Sequence, residues 1–151
     1  MSPQDRQAHS LDVLNRLRAT ERKSLLPRLV EINVFVQWAL GHEMDLVRRM
    51  VAEQARHDVW LMEAADACDG ALFPAAADVH TANLHYLDLC SLLPSVIAGT
   101  QSLVQLYGQA LADEALMPEA AEAIARIHNR HQVHLQQLRE IQARMQTTQQ
   151  A

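Results

Sequence analysis

The sequence is poor in the residues that build disulfide frameworks and tight turns. Its 151 residues include only 2 cysteines, 4 glycines and 5 prolines. Two cysteines, Cys68 and Cys90, make no disulfide framework, which indicates a reducing, cytoplasmic environment. So few glycines and prolines cannot supply the many turns of a β sandwich or barrel. The scarcity of these residues therefore favours a helical protein with few connections.

Aromatic residues and positive charge are also scarce. Aromatic side chains make up 4% of the chain, and the formal net charge is -5. Proteins that bind single strands stack bases on aromatic rings, and proteins that bind phosphate backbones carry an excess of Lys and Arg. We therefore expect no nucleic-acid partner.

Long apolar runs are missing as well. The amino-terminal ten residues, MSPQDRQAHS, are polar and contain no signal-peptide core. The longest nearly uncharged stretch, residues 91–111, is interrupted by Pro94, Gly99 and several polar side chains. That composition is too polar for a membrane span, so we expect a soluble protein without a membrane partner.

Apolar residues recur at helical spacing over most of the chain. The pattern predicts four helices in a single domain of residues 1–151, at about 9–40, 42–69, 81–111 and 118–146. Gly41 and Gly70 are expected to end the first two helices, and Pro118 to begin the fourth. Residues 70–80 form the longest connection, which suits a crossover along the bundle. The expected fold is an all-α, antiparallel four-helix bundle with a long crossover between helices 2 and 3.

A short internal repeat, acidic-x-x-Ser-Leu-Leu-Pro, links the two halves of the chain. It occurs at residues 21–27 and again at residues 88–94. Each repeat ends in a proline, at Pro27 and Pro94. A proline either kinks a long helix or lies in the first turn of a new one. The sequence leaves both alternatives open.

Polar side chains interrupt the apolar faces of the predicted helices. Gln54 and His57 lie on the stripe of the second helix, and His131 and His134 on that of the fourth. Glu21 lies among leucines of the first helix, and Thr100 among apolar residues of the third. Residues three apart on a helix lie on the same face. The pair Gln54 and His57 and the pair His131 and His134 can therefore each direct two donor atoms to one point. Buried polar groups need partners, which these positions could provide for one another or for a metal ion.

Two stretches resemble the ferritin-like superfamily, of the rubrerythrin and bacterioferritin kind. Residues 52–57, Ala-Glu-Gln-Ala-Arg-His, resemble its EExRH stretch, and residues 131–134, His-Gln-Val-His, match the position of the second ExxH. The resemblance implies a four-helix bundle in which four carboxylates and two histidines hold two irons. It carries over His57 and His134 as metal ligands.

The carboxylates that the resemblance implies do not carry over. Gln54 and His131 occupy positions where the resemblance implies two of the glutamates. Glu53 is rotated by about 100° around the helix axis from Gln54, so we expect its side chain to face away from the core site. The first-helix ligand is open between Glu21 and Glu31, or neither. On the third helix, Thr100 occupies the level at which the resemblance implies a carboxylate ligand. Asp88 matches the repeat but lies far along the helix.

The sequence therefore leaves two functions open. In the first, the chain is a ferritin-like metal-binding protein with a remodelled, His-rich core site, and oxidoreductase activity is one implication. Its candidate ligands are Glu21, Gln54, His57, His131 and His134, and its candidate ions are iron (Fe) and zinc (Zn). In the second, the layer holds no metal and the chain is a non-catalytic bundle that acts as an interaction or scaffold protein. Broad apolar stripes predict a homo-oligomer in either case, and no small-molecule substrate is indicated.

Overall fold

Four α-helices make up most of the structure, a computed structural model that describes residues 1–27, 41–73 and 89–150. The helices are α1 (Pro3–Arg22), α2 (Gly41–Ala67), α3 (Leu89–Leu111) and α4 (Pro118–Gln150). No strand occurs within those ranges. The predicted all-α class and the predicted number of helices are confirmed.

The first helix differs from its prediction at both ends. It begins at Pro3 because Ser2 forms a capping box: its hydroxyl accepts from the Asp5 N–H at 3.1 Å, and its own N–H donates to the Asp5 carboxylate at 3.2 Å. The predicted single helix over residues 9–40 is wrong, since α1 ends at Arg22 and helical structure resumes at residues 25–27. Pro27 lies in the first turn of that next segment, where its missing N–H costs no hydrogen bond. Residues 28–40 lie outside the described part of the chain.

The second helix ends in a Schellman motif. The Gly70 N–H donates to the Ala65 carbonyl at 2.9 Å, and the Asp69 N–H donates to the Asp66 carbonyl at 3.0 Å. The left-handed residue of the motif is Asp69, with φ 58°, and not the predicted Gly70. Gly70 packs closely against Leu11, and a Cβ atom there would force the Leu11 side chain to shift.

Side-chain contacts fix the directions of the four helices. Gln7 near the start of α1 bonds to the Cys68 carbonyl at the end of α2, while Glu21 bonds to Gln54 further back, so α1 and α2 are antiparallel. Glu21 also meets Tyr107 on α3, whereas Arg6 meets Leu116 beyond the end of that helix. Both α2 and α3 therefore run opposite to α1. Two consecutive helices in the same direction require a connection along the length of the bundle. Residues 68–88 link α2 and α3, and residues 74–88 of them lie outside the described part of the chain.

The core consists of two apolar clusters at different heights of the bundle. The first apolar cluster contains Val13, Leu14, Leu17, Leu61, Ala64, Ala65, Cys68, Leu103, Tyr107, Leu116, Ala120, Ile124 and Ile127. The second apolar cluster contains Leu26, Met44, Val47, Met50, Leu92, Leu93, Val96, Leu138, Ile141 and Met145. Between them, each helix contributes buried polar side chains to what we call the polar layer: Glu21, Gln54, His57, Thr100, His131 and His134. The fold thus places a polar layer in the middle of an apolar core.

Over the residues that the structure describes, no helix is both long and apolar enough to cross a membrane.

Candidate metal centre

The polar layer is enclosed from solvent on every helix. His57, His131 and His134 are fully buried, and Gln54 and Thr100 are nearly so. Their burial follows from helical spacing, because each lies three or four residues from apolar members of the two clusters. A polar layer of this kind is costly unless its atoms find partners.

The carboxylate of Glu21 is the centre of the layer. Its Oε1 accepts from the Tyr107 hydroxyl at 2.8 Å, and lies 2.5 Å from His131 Nε2 and 3.2 Å from His57 Nδ1. Its Oε2 accepts from the Gln54 amide at 3.0 Å. One buried carboxylate thus gathers side chains from the other three helices of the bundle.

These partners determine the ionisation of the layer. Burial alone would raise the pKa of Glu21, but hydrogen bonds and charge from His131 and His57 outweigh it and hold the pKa at about 2. Burial raises the pKa of Tyr107 well above its ordinary value, and the neighbouring Glu21 charge raises it further. Glu21 is therefore a carboxylate at neutral pH, and Tyr107 remains a protonated donor.

Three of these side chains could hold a metal ion. Glu21, His57 and His131 each offer one ligand atom, and the three atoms lie within 4.8 Å of one another. The rings of His57 and His131 meet edge to face, with centroids 4.7 Å apart. A carboxylate oxygen and two imidazole nitrogens are a donor set that suits Zn, Fe, Cu or Ni.

The protein groups do not satisfy every atom of the layer. Within the described residues, His57 Nε2, His131 Nδ1 and His134 Nδ1 are buried without a hydrogen-bond partner. An orphaned buried polar atom costs about 1–3 kcal/mol, so native structures contain few. In His57 and His131 the orphaned nitrogen is the one that does not contact Glu21 Oε1, so an ion held between Glu21 and the contacting nitrogens would leave it without a partner.

His134 is anchored from the side of the bundle. Its Nε2 lies 3.3 Å from a Glu53 carboxylate oxygen, and the same carboxylate forms an ion pair with Arg130. Burial of the imidazole lowers the pKa of His134 despite the adjacent Glu53. A hydrogen bond from Nε2–H to Glu53 leaves Nδ1 as the unprotonated nitrogen, which faces the protein interior.

Four of the five candidate ligands meet at one point. Glu21, Gln54, His57 and His131 share the contacts around the Glu21 carboxylate, whereas the His134 ring lies 6.2 Å from that of His57 and 6.3 Å from that of His131. The first-helix carboxylate in the layer is Glu21. Glu31 and Asp88, which the sequence left open, lie outside the described residues.

Sequence reasoning missed two partners of the layer. The Tyr107 hydroxyl donates to Glu21, and nothing in the sequence identifies Glu21 as its acceptor. Glu53 faces away from Glu21 yet reaches His134 on a different helix. Glu53 is next to Gln54 in the sequence, and Arg130 is next to His131. These opposite charges on α2 and α4 could have indicated the contact between Glu53 and His134.

Comparison with known proteins reveals a shared fold without close sequence similarity. No protein-family model matches the sequence, and no curated protein matches it significantly. A crystal structure of bacterioferritin from Desulfovibrio desulfuricans, described for its diiron site in different catalytic states, superposes with a TM-score of 0.76 at 18% identity. The match covers 97% of this chain and 85% of that one. The chain therefore has the ferritin-like four-helix-bundle fold of bacterioferritin.

Proposed function

We propose that this chain is a ferritin-like metal-binding protein in which Glu21, His57 and His131 hold a transition-metal ion. The observation that carries the proposal is the convergence of their donor atoms within 4.8 Å in a buried layer. The bacterioferritin neighbour, whose description names a diiron site, is consistent with metal binding by this fold.

The chain's own residues would prepare this site for the ion. Gln54 and Tyr107 hold the Glu21 carboxylate in one orientation, which lowers the cost of arranging ligands. The ion would replace the imidazole protons that point at Glu21 Oε1, so binding would release protons. A bound ion would supply Lewis acidity and, for iron, electron transfer. Oxidoreductase activity is therefore part of the proposal.

Metal analysis of protein purified without a histidine tag tests the proposal. We expect a transition metal in the wild type and its loss in His57→Ala and His131→Ala. His42→Ala is the matched control, because His42 is exposed at the start of α2 and lies outside the layer. A metal content that is zero in the wild type, or equal in all variants, would refute the proposal.

A metal-free bundle is the second candidate, and one observation favours it. The Glu21 carboxylate already has four polar partners, so the layer can persist as a hydrogen-bonded network. Such a network can fix the relative positions of helices without a cofactor. The orphaned nitrogens of His57 and His131 do not distinguish the two candidates, since both would leave them without a partner.

We further propose that the chain forms a homo-oligomer in the cytoplasm. Val59, Met62 and Phe73 are large apolar side chains exposed on the surface. Exposed apolar groups favour association when they lie together. Light scattering coupled to size-exclusion chromatography tests this, and a mass equal to one chain at all concentrations would contradict it.

A further inference from the structure

We infer that the polar layer takes one divalent ion of the imidazole-preferring class and does not accommodate a pair of ions. This inference rests on the proposed function and specifies its ligand. It departs from the two-iron arrangement that the ferritin-like resemblance implies, and the departure follows from the donor atoms that the layer contains.

The first argument concerns charge. Among the described residues, Glu21 is the only buried carboxylate of the layer. Glu53, which contacts His134, is partly exposed and its charge is paired with Arg130. The other buried acid, Glu43, lies beside the second apolar cluster and pairs with Arg144. One carboxylate leaves a single divalent ion with one uncompensated positive charge, and a pair with three. Uncompensated charge in an apolar core is costly, so the first ion fits far better than the second.

The second argument concerns the two oxygens of Glu21. A carboxylate that bridges two ions must present one oxygen to each. Oε1 faces His57 and His131, but Oε2 accepts from the Gln54 amide at 3.0 Å. Oε2 therefore faces the neutral amide donor of Gln54, which a second ion would have to displace.

The third argument concerns the positions that face Glu21. Paired metal sites hold their ions about 3.5–4 Å apart through shared oxygens. Here the facing positions carry the amide of Gln54, the imidazole of His131 and the hydroxyl of Thr100, which donates to its own helix at the Val96 carbonyl. None of these groups is an anionic bridge. The layer lacks the bridging oxygens that a second ion needs.

The donor set also indicates which class of ion is bound. Two imidazoles and one carboxylate with open positions are typical of non-haem Fe(II) sites, and three protein ligands plus water are typical of catalytic Zn. Imidazole nitrogens are poor ligands for Mg²⁺ and Ca²⁺, which prefer oxygen. Cobalt(II) is a suitable probe, because its visible absorption reports coordination by nitrogen and oxygen.

Titration of the chelator-treated, untagged protein tests the inference. Zn²⁺ is followed by calorimetry and Co²⁺ by visible absorption, with Mg²⁺ as the oxygen-preferring comparison. We expect one Zn²⁺ or Co²⁺ per chain, competition between these two ions, and no displacement by Mg²⁺. Two ions per chain, or one per two chains, would overturn the inference while the proposed function survives. No binding would overturn the proposed function itself.

Restoring carboxylates provides a converse test. The variant Gln54→Glu, Thr100→Glu, His131→Glu adds three acidic groups to the layer and should accept a second ion. A charge-matched control, Ser102→Glu, Gln105→Glu, Gln132→Glu, adds them at exposed positions and should still bind one. If the variant with three added carboxylates in the layer folds and still binds one ion, carboxylates do not determine the number of ions per chain. If that variant does not fold, the wild-type stoichiometry decides.

Discussion

At the scale of the residue, Glu21 determines the state of the whole layer. Its pKa in the folded protein is about 2, against an ordinary value of 4.5. A lowered pKa means that the charged form stabilises the fold above pH 4.5, and that this contribution is lost as the pH falls towards 2. The carboxylate is thus a source of stability in the metal-free protein as well as a candidate ligand.

The first prediction follows from this pKa. In metal-free protein, the free energy of unfolding of the wild type should fall more steeply between pH 4.5 and 2 than that of Glu21→Gln. The difference should reach about 3 kcal/mol at most, since each unit of pKa corresponds to about 1.4 kcal/mol. Urea denaturation at a series of pH values measures it. Equal slopes would show that the Glu21 charge does not stabilise the fold.

The second prediction concerns the hydroxyl of Tyr107. Tyr107→Phe keeps the ring in the first apolar cluster but removes the hydrogen bond to Glu21 Oε1. We expect the metal-free protein to lose about 1–2 kcal/mol of stability, the size of a hydrogen bond to a charged group. The number of bound metal ions should not change, because Tyr107 is not a ligand. A loss of metal together with unchanged stability would contradict both points.

Residue burial was predictable, whereas residue contacts were not. Gln54, His57, His131 and His134 lie on apolar stripes, so their spacing alone places them inside. The spacing does not say how far each helix is rotated or shifted against its neighbours. These rotations and shifts bring His131 into contact with Glu21 and His134 into contact with Glu53. The sequence could therefore identify the layer but not the order of contacts within it.

At the scale of the element, helix ends were less predictable than helix faces. The apolar stripe continues from Leu17 to Leu25, so periodicity gives no sign of the break at residues 23–24. The repeat ending in Pro27 was the only signal, and it did not distinguish a kink from a new start. Pro94, at the matching position of the other repeat, lies inside α3 instead. The same short motif thus occurs in two different helical contexts.

The third prediction concerns the end of α2. Asp69 adopts the left-handed conformation with φ 58°, which costs about 1 kcal/mol for a residue with a Cβ atom. Asp69→Gly should relieve that cost and raise the free energy of unfolding by up to about 1 kcal/mol. Metal content should stay the same, because the site is several turns away. Thermal denaturation measures the effect, and Asp69→Ala is the control that should lower stability. A destabilised glycine variant would disprove the argument.

At the scale of the whole molecule, the polar layer divides what could be a continuous apolar core. The first and second apolar clusters lie on either side of it. The helices α2, α3 and α4 contribute to both clusters, whereas α1 contributes to the first and Leu26, beyond the end of α1, contributes to the second. The all-helical class and the direction of the helices could be inferred from apolar spacing and from the long middle connection. The division could be inferred only in part, because the sequence left open whether Glu21, Glu31 or neither belongs to the layer, and the contacts of Glu21 decide its position.

The fourth prediction replaces the layer with apolar side chains. The variant Glu21→Leu, Gln54→Leu, Tyr107→Phe, His57→Leu, His131→Leu should join the two clusters and bind no metal. Replacing a buried ionic network by apolar residues often stabilises a protein by about 1–4 kcal/mol, and here Glu21 is replaced together with every group that contacts its carboxylate. We therefore expect the metal-free variant to be more stable than the metal-free wild type in urea.

The same variant separates the two functions of the layer. If the layer serves metal binding, its replacement leaves a rigid bundle with well-dispersed amide resonances, and added Zn²⁺ raises the melting temperature of the wild type alone. A ligand at 100 times its dissociation constant adds about 2.7 kcal/mol, so that rise is measurable. If the layer instead fixes helix positions, the variant should lose dispersion and cooperative unfolding even though its core is more apolar. Loss of dispersion and cooperative unfolding would show that the hydrogen bonds of Glu21 serve to fix the positions of the helices, and the metal proposal would be wrong.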